Sequence, residues 1–514
     1  MNFKKQLLLL SSVLLLIVSV GCSKKASVDG ILTVAIPASP ATLDPRMATD
    51  AYGDKIANQL IFDGLFARNE KMEIVPSLAK SYDLISPTEF RFELREGVKF
   101  HNGEELTSDD VIYTYSSIIN GDVLSPFKAV FDRVESMTPD GKYALNIRLK
   151  EPYAPFLTLL TRGIVPKAKA VELGESFGAH PVGTGAFILE SFTPEQDVVL
   201  KKNPNYFGGT PDLTGLKFVV VKDDNIRILK LMKGDIDLVL NAVPPLLLDK
   251  VREDKNLKVK EGIGIVAGYL GMNLTDDILK NVSVRKAIAH AIDRDEIIKH
   301  RWQGLAVKAN SIISPDNWSY PSGLKELKYD PKLAKELLDE AGFKDPDGDG
   351  DKPRFKLTFK TSTSKERIDI ARMIAHQLAK VGIEIEVLPY EWGTFYRDVK
   401  NGNFQLYSLS WVGLTEPDIF FDVCHSSRFP PDGVNRGRYS NITVDKLVEQ
   451  GRVTMDQNER KKIYAKVQKI LLEDLPYIPL WYEKNVAVSK KGVMDFALWP
   501  NASFKPLVKT YVKR

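Results

Sequence analysis

The segment from 355 to 390 constrains the fold more than any other part of this chain. Phe355, Leu357 and Phe359 alternate with Lys356, Thr358 and Lys360, the two-residue period of a strand with one buried face. From about Ser364 the period changes, and Ile368, Ala371, Ala375 and Leu378 recur at helical spacing. Gly382 ends that helix, and Ile383, Ile385 and Val387 resume the strand alternation. A strand, a helix and a strand with short links make a crossover, which requires the two strands to pair in parallel. The class is α/β.

The rest of the chain repeats the theme. "ILTVAI" (31–36) reads as a buried strand closed by Pro37, and "FRFELREGVKF" (90–100) as a half-exposed one. "SDDVIYTYSSII", "SVRKAIAHAIDRDEIIKH", "PKLAKELLDEAG" and "NERKKIYAKVQKILLEDL" read as amphipathic helices. No internal repeat or low-complexity tract interrupts them. The start, "MNFKKQLLLLSSVLLLIVSVGC", has two lysines and then an apolar run of 14 residues from Leu7 to Val20. A membrane span needs about 20 such residues, so the run reads as a secretory signal peptide covering 1–21. Its end resembles a bacterial lipobox, with Ser19 standing where Leu is usual and Cys22 as the cysteine to be lipidated. Residues 22–30 then form a short tether. Subtracting 21 residues from 514 leaves 493, beyond the ~250–300 over which one core grows, so two or more lobes are expected. The balance of 71 basic against 67 acidic residues is nearly neutral and gives no electrostatic case for nucleic acid. With Cys22 lipidated, Cys424 stands alone and no intrachain disulfide is expected.

Three motifs invite chemistry and fail its geometry. "DPDGDGDKPRFK" (345–356) begins like a calcium loop, with Asp345, Asp347, Asp349 and Gly350 in place, but Lys356 occupies the position of the bidentate Glu. A helix precedes and a strand follows, so residues 345–351 are expected to make a tight turn. "GESFG" (174–178) matches a nucleophile elbow, and Ser176 with His180 would make a secreted serine hydrolase. That elbow needs a strand running into the serine and a helix leaving it, whereas a polar helix precedes and "AHPVGTG" follows. None of the six histidines forms a metal-ligand pair at zinc spacing, and no cofactor or metal is expected.

A set of segments taken together resembles one family. "FELREGVKFHNGEELTSDDVIYT" (92–114) is similar to the signature of the family 5 extracellular solute-binding proteins of ABC importers, the peptide- and nickel-binding group. "TLDP" (42–45), "LIFDGLF" (60–66), "PSLAKSY" (76–82), "HPVGTGAF" (180–187) and "NPNYF" (203–207) follow the family's order. So do "KGDIDL" (233–238), "VRKAIAHAIDRDEI" (284–297), "LAKELLDEAGF" (333–343) and "LPYIPLWY" (475–482). The resemblance implies a type II, periplasmic-binding-protein-like bilobed clamshell with an extra inserted domain. Lobe I would be 31–62, 183–274 and 487–514, the inserted domain 63–182, and lobe II 275–486. It implies a binding subunit, not an enzyme, exported and lipid-anchored, that hands a peptide or similar small solute to ABC permease and ATPase subunits. The chain itself carries no G-x-x-x-x-G-K-[ST] nucleotide loop.

The resemblance also implies where ligand sits. In peptide binders an aspartate third after a cleft tryptophan meets the peptide's ammonium. Here "LSWVGLTEPDIFFD" (409–422) supplies Trp411, but the third position is Leu414, and Glu416 and Asp418 are the nearest acids. A buried ammonium without a counter-charge costs several kcal/mol, so either one of these acids substitutes or the ligand presents no amine there. A sugar or a nickel chelate is the alternative solute. Main-chain contacts would fall near Gly413. The loop Asp50, Ala51 and Tyr52 is expected to border the ligand, Trp392 and Tyr396 to supply an aromatic wall, and Arg436, with Arg438, to meet a carboxylate through a forked guanidinium. His101, inside the signature, is expected to be structural.

Overall fold

The computed structural model describes residues 30–348, 350 and 352–513. The expected leader, Cys22 and the tether lie outside the described residues, as do Asp349 and Asp351. Cys424 is a free, buried thiol. Among the described residues no helix is long and apolar enough to cross a membrane.

The crossover forms as its periodicity requires. Strand Phe355–Ser362 pairs in parallel with Ile383–Tyr390, from Phe355 against Ile383 to Ser362 against Tyr390, with helix Lys365–Ala379 between them. The helix is turned from the expected stripe. Ile370, Ala371, Ile374, Gln377 and Leu378 are buried, while Ile368 and Ala375 are only half-buried. Gln377 accounts for the rotation: it accepts from the Asp293 amide at 3.0 Å and donates to Glu296 at 2.8 Å, so a polar residue takes a core position against a neighbouring helix. The acidic turn before this unit connects helix Pro331–Glu340 to the strand, and Asp347 accepts from the Lys352 amide at 3.1 Å, a turn-type bond.

The main sheet has eleven strands and runs through both lobes. Its centre is a pair of long antiparallel strands, Leu257–Met272 and Tyr477–Lys490. At one end these hydrogen-bond to Leu406–Trp411, which continues to Phe355–Ser362 and Ile383–Tyr390. At the other end Leu238–Leu240, Ile31–Ile36 and Gly215–Val220 complete the opposite half. The ladder between the two long strands is interrupted twice in mid-course: residues 264–266 stand against Glu483 alone, and a second shift falls between Gly268 and Tyr269, opposite Trp481 and Pro479. Gly264 lies in the first bulge, where a Cβ would come within 2.6 Å of the Glu483 carbonyl oxygen, so only glycine lets the strands pass.

The inserted domain has its own sheet. Ala79–Ser86, Glu89–Leu94, Ala144–Leu149 and Val134–Pro139 form four antiparallel strands. Helix Ser108–Asn120, started by a capping box between Thr107 and Asp110, closes one face. Phe90, Phe92, Val111, Tyr115, Ile118 and Leu145 form a core separate from that of either sheet half. His101 ties this domain down: its amide donates to the Gly183 carbonyl at 2.8 Å, and its Nε2 lies 3.0 Å from that of Gly185.

Candidate functional site

Strands Phe355–Ser362, Ile383–Tyr390 and Leu406–Trp411 run in one direction, and Trp411 lies opposite Ala267, at the edge of the bulge. Their carboxyl ends therefore open at the level where the lobes join, the place an α/β sheet offers a ligand. The lobe II side of this opening is built of stacked rings. Trp392, 47% exposed at the start of helix Trp392–Asn401, stacks on Tyr396 at 5.6 Å and 10°. Glu391 caps that helix by accepting from the Gly393 amide at 2.7 Å. The Arg436 guanidinium follows, 5.4 Å from the Tyr396 ring and 5.1 Å from that of Trp411. Trp411 then stacks on Tyr269 at 5.8 Å and 10°. Arg436 donates to the Tyr269 and Tyr396 hydroxyls at 3.0 and 3.2 Å, while its Nε has no partner. Among the described residues no carboxylate pairs with Arg436. Its charge is held by ring faces and phenol oxygens.

The loop after Trp411 sorts the remaining expected residues. Gly413 has φ +76°, and a Cβ there would meet nothing within 4 Å, so its backbone is open to an approaching chain. Leu414 is buried in an apolar cluster with Phe420, Val423 and Tyr464. Glu416 is held by Arg460. Asp418 accepts from the Tyr153 hydroxyl of the inserted domain at 3.1 Å and lies 3.1 Å from Arg452 Nε. Both acids nearest the tryptophan are thus already engaged. On the opposite side Asp50 caps helix Ala51–Ile56, accepting from Tyr52 and Gly53 at 3.2 and 2.7 Å, which commits its carboxylate to the fold. Ala51 is exposed, and Tyr52 is half-buried with its ring 6.4 Å from that of Phe504. Ser176 sits in a 3-10 turn and donates to the Leu173 carbonyl, and no hydrogen bond joins it to His180.

A cavity of about 190 Å³ lies between lobe I, the inserted domain and lobe II. Asp54, Asn58, Asp63, Arg68, Arg162 and Lys505 line it, with Thr415 from lobe II. Lys505 pairs with buried Asp63 at 3.0 Å, and both reach the Tyr206 hydroxyl. Burial opposes the charge on Lys505, yet Asp63 and Tyr206 more than restore it, and its pKa is raised. Asp54 lies 3.6 Å from Arg162 and accepts from Asn58 at 2.9 Å, while burial raises its carboxyl above the ordinary range. Next to it, burial lowers the Lys55 ammonium to about 8 against the pull of Asp54.

A second contact joins the inserted domain to lobe II. Besides the Tyr153–Asp418 bond, the Ala154 amide donates to the Arg452 carbonyl at 2.7 Å. The Arg452 guanidinium lies 3.8 Å from the Phe421 ring centroid and 5.5 Å from that of Tyr153. Burial pushes the Asp418 carboxyl up to about 6 despite Arg452. At the bulge, burial and then Glu366 raise Glu483 to about 7 against Arg301 and Arg367. Tyr153, Arg452, Arg68, Lys505 and Glu483 have no motif around them. Lys505 and Asp63 stand 442 positions apart, so no spacing in the sequence betrays the pair. Among the described residues no group of three His, Cys, Asp or Glu side chains is placed to hold a metal ion.

Residues 73–428 match the model of the bacterial extracellular solute-binding proteins, family 5 (middle). The oligopeptide-binding protein AppA of Bacillus subtilis (strain 168) is 29% identical over 509 residues, covering 95% of this chain and 93% of the relative. The structure of AppA from Bacillus subtilis in complex with a nonapeptide superposes with a TM-score of 0.72, covering 94% of this chain and 99% of AppA. NikZ from Campylobacter jejuni, solved with Ni(L-His), superposes at 0.73 with 26% identity, covering 94% and 99%. The fold is the type II clamshell with its inserted domain. The match over residues 73–428 takes in well over half of the chain, which belongs to the family 5 bacterial extracellular solute-binding proteins.

Proposed function

We propose that this protein captures a peptide or peptide-like small solute between its lobes and delivers it to the permease and ATPase subunits of an ABC importer. The cavity carries this reading, because its lining comes from both lobes and the inserted domain, so an occupant would touch every part that moves. The open backbone at Gly413 supports main-chain pairing with an extended ligand, and Trp392, Trp411 and Arg436 would form the wall behind it. The lobes are proposed to divide at 62/63, 182/183, 274/275 and 486/487. Cys22 is proposed to carry lipid, with more than one acyl chain needed for stable anchoring at the cell membrane, facing the periplasm or cell exterior.

A second reading rests on a specific observation. Leu414 is apolar, and Glu416 and Asp418 are both engaged, so a free ammonium finds no idle carboxylate beside Trp411. A solute without an amine at that point, such as a metal chelate like the Ni(L-His) of NikZ, suits this surface equally well. Thermal-shift screening of the purified protein against peptides, sugars and nickel chelates tests both readings. Stabilisation by peptides is expected; stabilisation by chelates alone would favour the second, and none by any class would defeat both.

A further inference from the structure

The charges lining the cavity do not balance. Two carboxylates, Asp54 and Asp63, face three cations, Arg68, Arg162 and Lys505. Lys505 takes Asp63 and Arg162 takes Asp54. Arg68 is left with one long hydrogen bond, to the Met72 carbonyl at 3.4 Å, and no ion pair among the described residues. Burial lowers its pKa, with only Glu416 opposing, and that acid is already held by Arg460. Arg68 is half-buried at the cavity wall, so its guanidinium has donors without a protein partner there, and an incoming anion would pair with them. Another lining residue, Asn501, has an Oδ1 with no hydrogen-bond partner, an acceptor suited to an amide N–H.

Resting on the capture reading above, we propose that this cavity is an anion subsite in which Arg68 receives a carboxylate of the solute while Thr415 closes it from lobe II. The volume of about 190 Å³ equals that of about six waters, enough for an acidic side chain or a terminal carboxylate but not for a whole peptide. The planar fork of arginine matches the two oxygens of a carboxylate. The preference belongs to this cavity and is separate from Arg436, whose Nη1 and Nη2 each donate to a phenol across the opening.

The test is calorimetric titration of the purified protein and its Arg68→Gln and Arg68→Lys variants. The probes are alanine tripeptides and pentapeptides as free acids, as C-terminal amides, and with a central glutamate or glutamine; glutarate is the bare dicarboxylate probe. Wild type should bind the acid form about tenfold or more tightly than its neutral counterpart. Arg68→Gln should erase that ratio and Arg68→Lys keep part of it. A ratio confined to free acid against amide assigns a terminal carboxylate; one confined to glutamate against glutamine assigns a side chain. Peptides bound without the ratio, or a ratio that survives Arg68→Gln, would overturn the subsite and leave peptide capture standing. Glutarate bound by wild type and lost in Arg68→Gln, with no peptide bound, would keep the subsite and defeat peptide capture. Binding of neither would defeat both.

Discussion

Lobe II faces lobe I and the inserted domain across the opening, and the two sides bury positive charge by opposite means. On the lobe II side Arg436 lies between Tyr396 and Trp411, with no carboxylate bonded to it. On the other side Lys505 and Arg162 each meet an aspartate. The ring stack spreads its attraction over faces that carry no net charge, so removing the cation leaves nothing ionised behind. An ion pair concentrates its attraction on one partner, which is stranded if the other goes. The clasp at Arg452 combines the two, since its guanidinium covers the Phe421 ring and also meets Asp418.

This contrast can be broken by substitution. Lys505→Met strands buried Asp63 and should cost about 4 kcal/mol in urea unfolding, the largest effect expected. Trp411→Ala removes a plate of the stack and should cost about 3 kcal/mol, because Tyr269 loses its stacking partner and Arg436 loses one of its two ring faces. A pH titration of stability reads the clasp. The folded-state pKa of Asp418, about 6, lies above its ordinary value near 4, so the folded protein keeps a proton that the unfolded chain releases. The contribution of Asp418 should therefore fall by about 3 kcal/mol as pH rises from about 4 to about 6, and Asp418→Asn should remove that part of the slope while leaving the part that Glu483, raised to about 7, carries on above pH 6. Arg436→Met should cost only about 1 kcal/mol, because the phenols it leaves are neutral and the methionine can pack on the same rings. A cost for Arg436→Met equal to that of Lys505→Met would erase the distinction between the two sides.

Local periodicity made the architecture legible. Phe355, Leu357 and Phe359 alternate as the strand they form, and the parallel partner follows from the short links. The helix between them turned because Gln377 is buried by bonds to Asp293 and Glu296, residues more than eighty positions earlier that no periodicity can see. The site was legible only as a loop. Trp411 was expected to mark it, but the fate of its neighbouring acids did not follow, because Glu416 is taken by Arg460, 44 positions on, and Asp418 by Tyr153, 265 positions back. Arg436 was read as a fork for a carboxylate, and the rings of Tyr396 and Trp411 that flank it left no mark in the sequence around it.

The interrupted ladder at Ile263–Ala267 has a mechanical consequence. Twisting one half of the molecule against the other concentrates where rungs are already missing, so a swing breaks few additional bonds and unzips neither half of the sheet. With no side chain at position 264 to jam against the neighbouring carbonyl, the joint keeps its slack.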